Sequence, residues 1–207
     1  MTDDAAAVAA FIQARLPVTP VPGLPQLCLH KADPASGVGR LADTAPYWAY
    51  WWAGGLALAR HLLAHPHLVA GRRVFDLGAG SGLVGIAAAR AGAAIVTASE
   101  IDVHARTAIG LNAALNQVAI AAIVGDCTAG PVPDVDLLLV GDVFYAPDVA
   151  ARVIDFLDRC VAAGVEVLVG DPGRAPLPLE RLTLLASYEV AEAGTARRAG
   201  VFAYRAA

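Results

Sequence analysis

The chain has 207 residues, of which 57% are hydrophobic, and it carries a formal net charge of −4. This length suits one domain with a substantial core, and the acidic balance argues against a non-specific nucleic-acid binder, which needs a basic face. No uninterrupted apolar segment is long enough to cross a bilayer, and the acidic N-terminus lacks the positive region of a secretory signal. We therefore expect a cytoplasmic monomer without a nucleic-acid or membrane partner.

The cysteines and histidines do not predict a metal site. The three cysteines are widely spaced and form no Cys-x-x-Cys pair, so we expect reduced, mostly structural thiols. His61, His65 and His67 cluster, but they follow an apolar helix and flank Pro66, which favours a surface turn. We expect no bound metal.

The N-terminal part predicts a cover over a larger core. Apolar residues lie near helical spacing in Ala5–Leu16, with Asp3 or Asp4 as the candidate cap. Four prolines between positions 17 and 25 then force an extended path, followed by a strand over Gln26–Lys31 and a polar loop over Ala32–Thr44. We expect a single domain, in which residues 1–70 form the cover and an aromatic segment and residues 71–207 form the cofactor-binding core.

All three tryptophans lie in the aromatic segment Pro46–Gly55. A predicted helix, Leu56–Leu63, follows and leads towards a glycine-rich strand end. Such a cluster is usually part of a core, but this position predicts that it packs near a ligand. Because aromatic faces attract cations, we expect at least one tryptophan to contact the ligand.

A strand, a glycine turn and a helix come next, at Val74–Leu77, residues 78–82 and Leu83–Arg90. Gly78, Gly80 and Gly82 would let a ligand lie against bare backbone. The free N–H groups of the helix N-terminus suit an anionic or polar ligand group. The turn is therefore the predicted cofactor site.

The identity of the cofactor depends on Asp76. The run from Gly80 to Gly85 fits the dinucleotide fingerprint, but Lys31, the only lysine, is not preceded by a tyrosine at the Tyr-x-x-x-Lys spacing that would support a dinucleotide oxidoreductase. Asp76, ahead of the glycines, can accept hydrogen bonds from an amino or hydroxyl donor, which favours S-adenosylmethionine, a cofactor without pyrophosphate. A dinucleotide, or no cofactor, remains the alternative.

The next two strands also end in acidic residues. Ala94–Ser99 leads to Glu100, whose carboxylate suits both ribose hydroxyls of a nucleoside, while Asp102 is the predicted cap of the following helix. Ile120–Val124 leads to Asp126, which we expect to accept a hydrogen bond from the adenine amino group.

The strand Val135–Val140 is almost continuously apolar, as a strand buried on both faces requires. It delivers Asp142 and Tyr145 to the edge of the sheet where ligands bind in open α/β folds. We therefore expect these two residues where substrate meets cofactor. A helix over Pro147–Ala163 follows.

A fifth strand, Val165–Val169, precedes a turn that contains Asp171 and Arg174. These two residues either contact the substrate or pair with each other to fix the turn. A further helix is predicted over Leu177–Ala186. The chain closes with a predicted antiparallel pair, Tyr188–Ala193 and Gly200–Tyr204.

Together these stretches resemble the Rossmann-like class I methyltransferases and, more narrowly, the electron transfer flavoprotein β-subunit lysine methyltransferase family. The resemblance covers the chain from about Leu16 to its end. It rests on Pro46-Tyr47-Trp48-Ala49, Trp52-Ala53-Gly54-Gly55, Asp76-Leu77-Gly78-Ala79-Gly80-Ser81-Gly82, Glu100-Ile101-Asp102, Gly141-Asp142-Val143-Phe144-Tyr145 and Gly170-Asp171-Pro172-Gly173-Arg174.

The resemblance implies an α/β fold with a seven-strand sheet, mostly parallel with an antiparallel last strand, helices on both faces and an N-terminal cover. It implies that Trp52, the glycine loop and Glu100 surround S-adenosylmethionine, with S-adenosylhomocysteine as the product. It places Asp142 against the cofactor and, with Tyr145, at the site of methyl transfer. The implied partner is the flavoprotein β-subunit, methylated on lysine side chains.

A lysine acceptor must lose its proton before it attacks the sulfonium methyl. We expect burial among Tyr47, Trp48 and Tyr145 to favour the neutral amine, and Asp142 to orient it. A ribosomal-protein lysine, a small nicotinamide-like amine, and a catalytically silent binding module remain alternatives to the flavoprotein lysine.

Overall fold

The computed structural model describes residues 2–41 and 45–206, without the side chains of residues 2–4. The first helix begins at Thr2, so Asp3 and Asp4 lie within it and the cap predicted at one of them is wrong. The last predicted loop residues, 42–44, lie outside the described part. The helices are α1 Thr2–Arg15, α2 Ala53–Ala64, α3 Leu83–Arg90, α4 Val103–Leu115 and α5 Pro147–Ala162. The strands are β1 Val18–Val21, β2 Leu24–His30, β3 Arg73–Leu77, β4 Ile95–Glu100, β5 Ala121–Val124, β6 Leu137–Gly141, β7 Glu166–Asp171, β8 Leu182–Glu192 and β9 Thr195–Tyr204.

One seven-stranded sheet organises the core, in the order β5-β4-β3-β6-β7-β9-β8. The five strands from β3 to β7 run parallel, and β9 is antiparallel to both of its neighbours. This confirms the predicted α/β fold. The carboxyl ends of β3, β4, β5, β6 and β7 therefore meet at one edge, where an open parallel sheet forms its ligand crevice.

Alternation along the strands separates two hydrophobic layers, because successive side chains point to opposite faces of a sheet. Val74 and Leu139 pack with α2 and α3 on one face. Phe75 and Leu138 pack with α5 on the other face. Strands buried on both faces must be apolar at nearly every position, which explains why they were recognisable from sequence.

The N-terminal segment packs over α4. Val8 and Ile12 of α1 lie in one buried cluster with Trp48 and with Ala105 and Ala108 of α4. The extended path predicted for residues 17–25 is a hairpin, which the sequence analysis did not recognise. Its turn uses Gly23 in the left-handed region, at φ 73°.

A buried asparagine links this hairpin to the glycine loop. Asn112 of α4 accepts a hydrogen bond from the His30 backbone N–H at 2.8 Å and donates one to the Ser81 carbonyl at 2.9 Å. Because Asn112 has no exposed surface, both bonds are protected from water. The N-terminal segment is thus fastened to the loop rather than only laid over it.

The helix predicted over Leu177–Ala186 is wrong. A single 3-10 turn, Leu179–Arg181, is followed directly by β8. Leucine-rich sequence favours a helix in isolation, but here β8 pairs with β9 from Leu182 to Glu192. Non-local backbone pairing overrides the local preference. The predicted antiparallel pair is present, and both strands are longer than predicted.

Candidate functional site

A cavity of about 660 Å³ opens at the carboxyl ends of the parallel strands, and a smaller hollow of about 40 Å³ shares Trp52, Gly78 and Asp142 with it. The size falls in the usual range for small-molecule sites. The walls contain every predicted site residue except Gly82 and Asp171. The lining residues from that set are Tyr47, Trp48, Trp52, Asp76, Gly78, Gly80, Glu100, Asp126, Asp142, Tyr145 and Arg174.

The glycine loop passes close to the wall of the cavity. Gly78 adopts φ 66°, and a Cβ placed on it would lie 2.8 Å from Val143 Cγ1. Only glycine is accommodated there without displacement. Gly82, at φ 82°, does not reach the cavity and instead forms the N-cap of α3, so its backbone freedom is used to turn the chain into the helix.

Asp76 holds the start of that helix. Its Oδ2 accepts a hydrogen bond from the Gly85 N–H at 2.8 Å, while the N-cap residue contributes no side-chain bond. Burial raises the pKa of Asp76 to about 7, although the Gly85 hydrogen bond acts in the opposite direction. Burial therefore disfavours the charged form of this carboxyl group, which lines the smaller hollow, and a cationic or hydrogen-bond donor ligand would favour its ionisation.

Glu100 closes the glycine loop from the next strand. Its Oε2 accepts a bond from the Gly80 N–H at 2.9 Å, and its Oε1 accepts one from the Ile101 N–H at 2.7 Å. The predicted helix cap is confirmed, since Asp102 accepts a bond from the His104 N–H at 2.8 Å. Glu100 thus supports the loop and also faces the cavity.

Asp126 lies on the cavity wall and caps a short 3-10 turn. Hydrogen bonds from the Thr128 hydroxyl and backbone N–H lower the pKa of Asp126. Arg152 of α5 also faces it, with Nε 3.8 Å from Asp126 Oδ2. Asp126 is therefore ionised at neutral pH, and its carboxylate already accepts hydrogen bonds from donors of the protein.

Asp142 lies where α2, β6 and β7 meet. Although it is not glycine, it adopts φ 57°, a conformation that costs energy and persists only where surrounding contacts fix it. Its Oδ2 accepts a bond from the Gly55 N–H at 2.7 Å, and its Oδ1 accepts one from Arg174 Nη2 at 2.8 Å. Burial raises the pKa of Asp142 to about 6, with the bonds from Arg174 and Gly55 opposing the increase.

The close approach of α2 to β7 depends on two further glycines. A Cβ on Gly54 would collide with the Gly170 carbonyl oxygen and lie 2.7 Å from Asp142 Oδ2. A Cβ on Gly170 would in turn collide with the Gly54 carbonyl. The N-terminus of α2 is consequently pressed onto the sheet beside Asp142, which explains why the first turn of this helix contains a glycine pair.

The aromatic segment forms the outer rim. Tyr47 and Tyr145 are more than half exposed, with ring centroids 6.2 Å apart, and Trp52 lies 5.7 Å from Tyr47. Partial burial and the charge of Glu100 raise the pKa of Tyr145, so its hydroxyl is protonated at neutral pH. Trp48 differs, because it is 2% exposed and belongs mainly to the cluster beneath α1.

Asp171 lies behind the cavity rather than in its wall. It has no exposed surface, and its Oδ1 accepts bonds from the N–H groups of Gly173 and Arg174, both at 2.7 Å. Its Oδ2 lies 3.9 Å from Arg174 Nε. Of the two predicted roles, this geometry matches the turn-fixing ion pair, and it leaves Arg174 to bridge the turn and Asp142.

Sequence reasoning missed two contributors to the site. Glu192, at the end of β8, accepts a bond from the Ala53 N–H at 2.9 Å and pairs with Arg197 at 2.8 Å. It supplies a second carboxylate to the α2 N-terminus from 139 residues away in sequence. Arg152 opposite Asp126 was also missed. Neither carries a local signal, because both depend on long-range packing.

His61 departs from the predicted surface turn, since it is only 5% exposed and its Nδ1 lies 2.9 Å from the Tyr188 hydroxyl. Within residues 2–41 and 45–206, no group of three or more His, Cys, Asp or Glu side chains is arranged to hold a metal ion. In the same part of the chain, no helix combines the length and apolar character needed to cross a membrane.

Two proteins of known family are similar to this chain in sequence. The electron transfer flavoprotein β-subunit lysine methyltransferase of Danio rerio is 46% identical over 132 residues, which is 63% of this chain and 51% of that protein. A homologue of this enzyme in Caenorhabditis elegans is 32% identical over 175 residues, 74% of this chain and 71% of that protein. The chain thus spans about half the length of the fish protein and most of the nematode one.

A family profile and a solved structure give further similarity. The ribosomal protein L11 methyltransferase (PrmA) profile matches residues 62–159. Magnesium protoporphyrin IX methyltransferase from Synechocystis, solved with bound S-adenosylmethionine, superposes with a TM-score of 0.53 at 15% identity, covering 72% of this chain and 77% of that one. At this identity the superposition shows a shared fold.

Proposed function

The chain belongs to the electron transfer flavoprotein β-subunit lysine methyltransferase family, and we propose that it transfers a methyl group from S-adenosylmethionine to a lysine side chain of that β-subunit. The observation that carries the proposal is the cavity itself. It joins a glycine loop, a strand-end carboxylate and an aromatic rim at the carboxyl edge of a parallel sheet. These are the parts that a nucleoside cofactor and an amine acceptor need side by side.

The residues present fit S-adenosylmethionine. Gly78 leaves bare backbone where a Cβ would collide with Val143. Glu100, at the end of the adjacent strand, offers a carboxylate for ribose hydroxyls, and Asp126 is placed for an adenine amino group. Asp76 and the backbone around it suit the amino-acid tail, and Trp52 lines both hollows. When bound, the cofactor supplies a methyl group attached to a sulfonium sulfur. After transfer of the methyl group, the sulfur is left as a neutral thioether.

The work of the protein is then alignment and desolvation of the amine. A free lysine has a pKa of about 10.4, so on the order of one in a thousand is neutral at pH 7. Tyr47, Trp52 and Tyr145 offer a partly apolar entrance that disfavours the charged amine. Because the Tyr145 hydroxyl stays protonated, it can orient the nitrogen as a hydrogen-bond partner but does not remove its proton.

Asp142 acts in this proposal by position rather than as a general base. Both carboxylate oxygens already accept bonds, one from Gly55 and one from Arg174. A proton on Asp142 would weaken the pair with Arg174 and disturb the α2 N-terminus. The residue therefore fixes the wall between cofactor and acceptor, and the amine proton leaves through solvent.

The match to the L11 methyltransferase profile supports one second candidate acceptor, a lysine of a ribosomal protein. Both candidates share the cofactor site and the displacement step. They differ in the protein surface that must dock against Tyr47 and Tyr145, so a direct comparison of acceptors separates them.

The test is transfer of labelled methyl groups from S-adenosylmethionine to purified electron transfer flavoprotein, to ribosomal protein L11 and to nicotinamide in parallel. Label on β-subunit lysines, absent with a Glu100→Ala variant, is the expected result. Label on L11 alone would identify the ribosomal protein as the acceptor, and label on nicotinamide alone would identify a small amine as the acceptor. Cofactor binding without transfer to any acceptor would favour a catalytically silent module.

A further inference from the structure

Lys31 has an unusual position for the single lysine of this chain. It is the only lysine among the 15 lysine and arginine residues, and it follows directly after β2. Its Nζ lies 5.0 Å from the ring centroid of Trp51 and 5.8 Å from that of Tyr50. Both distances are within the range of a cation–π interaction, so the ammonium is held against two neighbouring aromatic rings.

Hydrogen bonds fix the same residue on both sides. Lys31 Nζ donates to the Ala32 carbonyl at 3.0 Å, and the Lys31 backbone N–H donates to the Pro17 carbonyl at 3.1 Å. The next backbone N–H, of Ala32, donates to the Ala49 carbonyl at 2.9 Å. The end of β2 is therefore attached both to the N-terminal segment and to the aromatic segment.

The two rings that contact Lys31 also line the smaller hollow of the functional site. Tyr50 and Trp51 share that hollow with Gly55 and Asp76. Trp51 is only 8% exposed and packs within the core beneath the sheet. Because both rings line this hollow together with Asp76, a movement of the rings changes the wall of the part of the site assigned above to the amino-acid tail of the cofactor.

We propose that Lys31 is a positioning residue that holds Tyr50 and Trp51 in place as the inner wall of the cofactor site. Its ammonium contributes attraction to both ring faces, and its hydrogen bond to Ala32 keeps it from leaving for solvent. An arginine can retain the attraction to aromatic rings, whereas a neutral side chain of similar length cannot. This inference uses the cofactor of the proposed function but does not depend on which acceptor is methylated.

The experiment compares Lys31→Met, Lys31→Arg and an exposed-cation control, Arg90→Met, at the end of α3. Calorimetry measures the dissociation constant for S-adenosylmethionine, and steady-state assays measure KM and kcat. We expect Lys31→Met to raise the dissociation constant and KM on the order of five-fold, with Lys31→Arg and the control close to wild type. At saturating cofactor, kcat should stay near the wild-type value, which separates positioning from general loss of structure.

If Lys31→Met is poorly folded, Lys31→Gln takes its place as the neutral variant, and in either case a double-mutant cycle with Tyr50→Leu tests whether the lysine acts through the rings. If Lys31 acts through the rings, the losses in the two single variants should not add in the double variant. Additive losses, or wild-type affinity in Lys31→Met, would overturn the proposal. Methyl label on Lys31 itself would also overturn it, because it would show that Nζ reaches the reacting methyl group. The Lys31→Arg variant contains no lysine and therefore serves as the control for labelling at this position.

A wild-type protein that binds the cofactor but methylates none of the acceptors would end the proposed function and leave this inference standing. If the wild-type protein methylates the flavoprotein and Lys31→Met binds the cofactor normally, the proposed function stands and this inference is overturned.

Discussion

The N-termini of α2 and α3 are both held by a hydrogen bond to an aspartate, but the sequence separation between helix and aspartate differs greatly. In each helix the N-cap residue gives no side-chain hydrogen bond, and a glycine N–H in the first turn donates to an aspartate at the end of a strand. Gly85 donates to Asp76, nine residues away. Gly55 donates to Asp142, 87 residues away. The first contact closes within one strand–turn–helix unit, while the second requires the assembled sheet.

The two aspartates also differ in their electrical surroundings. Asp142 pairs with Arg174, whereas no cation pairs with Asp76 within residues 2–41 and 45–206. The nearby negative charge of Glu100 instead contributes to raising the pKa of Asp76. Removing a buried carboxylate that has a cationic partner leaves that cation unpaired and destabilises the fold. A buried carboxylate without a cationic partner costs stability. The comparison predicts opposite effects when the two side chains are replaced.

The largest effect is expected from Gly54→Ala. The added Cβ would collide with the Gly170 carbonyl, so α2 would have to move off the sheet and away from Asp142. We expect a loss of more than about 3 kcal/mol in the free energy of unfolding, measured by urea denaturation. Wild-type stability would show that α2 is not pressed onto β7.

Asp142→Ala is next. It removes the acceptor for Gly55 and leaves Arg174 without its partner, so we expect a loss of about 2–3 kcal/mol in the free energy of unfolding. The more conservative Asp142→Asn retains an acceptor for Gly55 and should recover part of that loss. If Asp142→Ala binds cofactor normally and keeps full turnover, Asp142 has no role in methyl transfer.

Asp76→Asn should stabilise the cofactor-free protein and weaken cofactor binding. The pKa of Asp76 is raised to about 7, so its contribution to stability is present below the unfolded-state pKa and is lost as pH rises through about 7. Removing the ionisable group should therefore add on the order of 1–2 kcal/mol at pH 8 and much less at pH 5. Urea denaturation at both pH values measures this, and an equal effect at the two pH values would contradict the assigned ionisation.

Gly55→Ala has the smallest expected effect and serves as the matched control for Gly54→Ala. Its Cβ would lie 3.7 Å from Val84 Cγ2 and 3.9 Å from Asp142 Oδ2, which are ordinary contacts. Since alanine favours a helix over glycine, we expect a gain of about 0.5–1 kcal/mol in the free energy of unfolding. A loss as large as that of Gly54→Ala would mean that the glycine pair, rather than one close contact, sets the packing.

The sequence by itself determined the parts of the site that one strand and its following turn can specify. The glycine loop, Asp76, the cap at Asp102 and the polar residue at each strand end carry local signals, because a parallel sheet buried on both faces needs apolar strands and places their ends together. The position of the cavity at the carboxyl edge of the strands followed from that pattern, whereas the order of the strands in the sheet did not.

Tertiary structure decided the rest. The pair between Asp142 and Gly55, the bond from Ala53 to Glu192 and the placement of Lys31 against Trp51 join segments far apart in sequence, so no local pattern reports them. The same holds for β8, where pairing with β9 replaced a locally favoured helix. The physical reason is that backbone donors and buried charges take whichever partner the assembled fold brings near, and sequence spacing does not encode that partner.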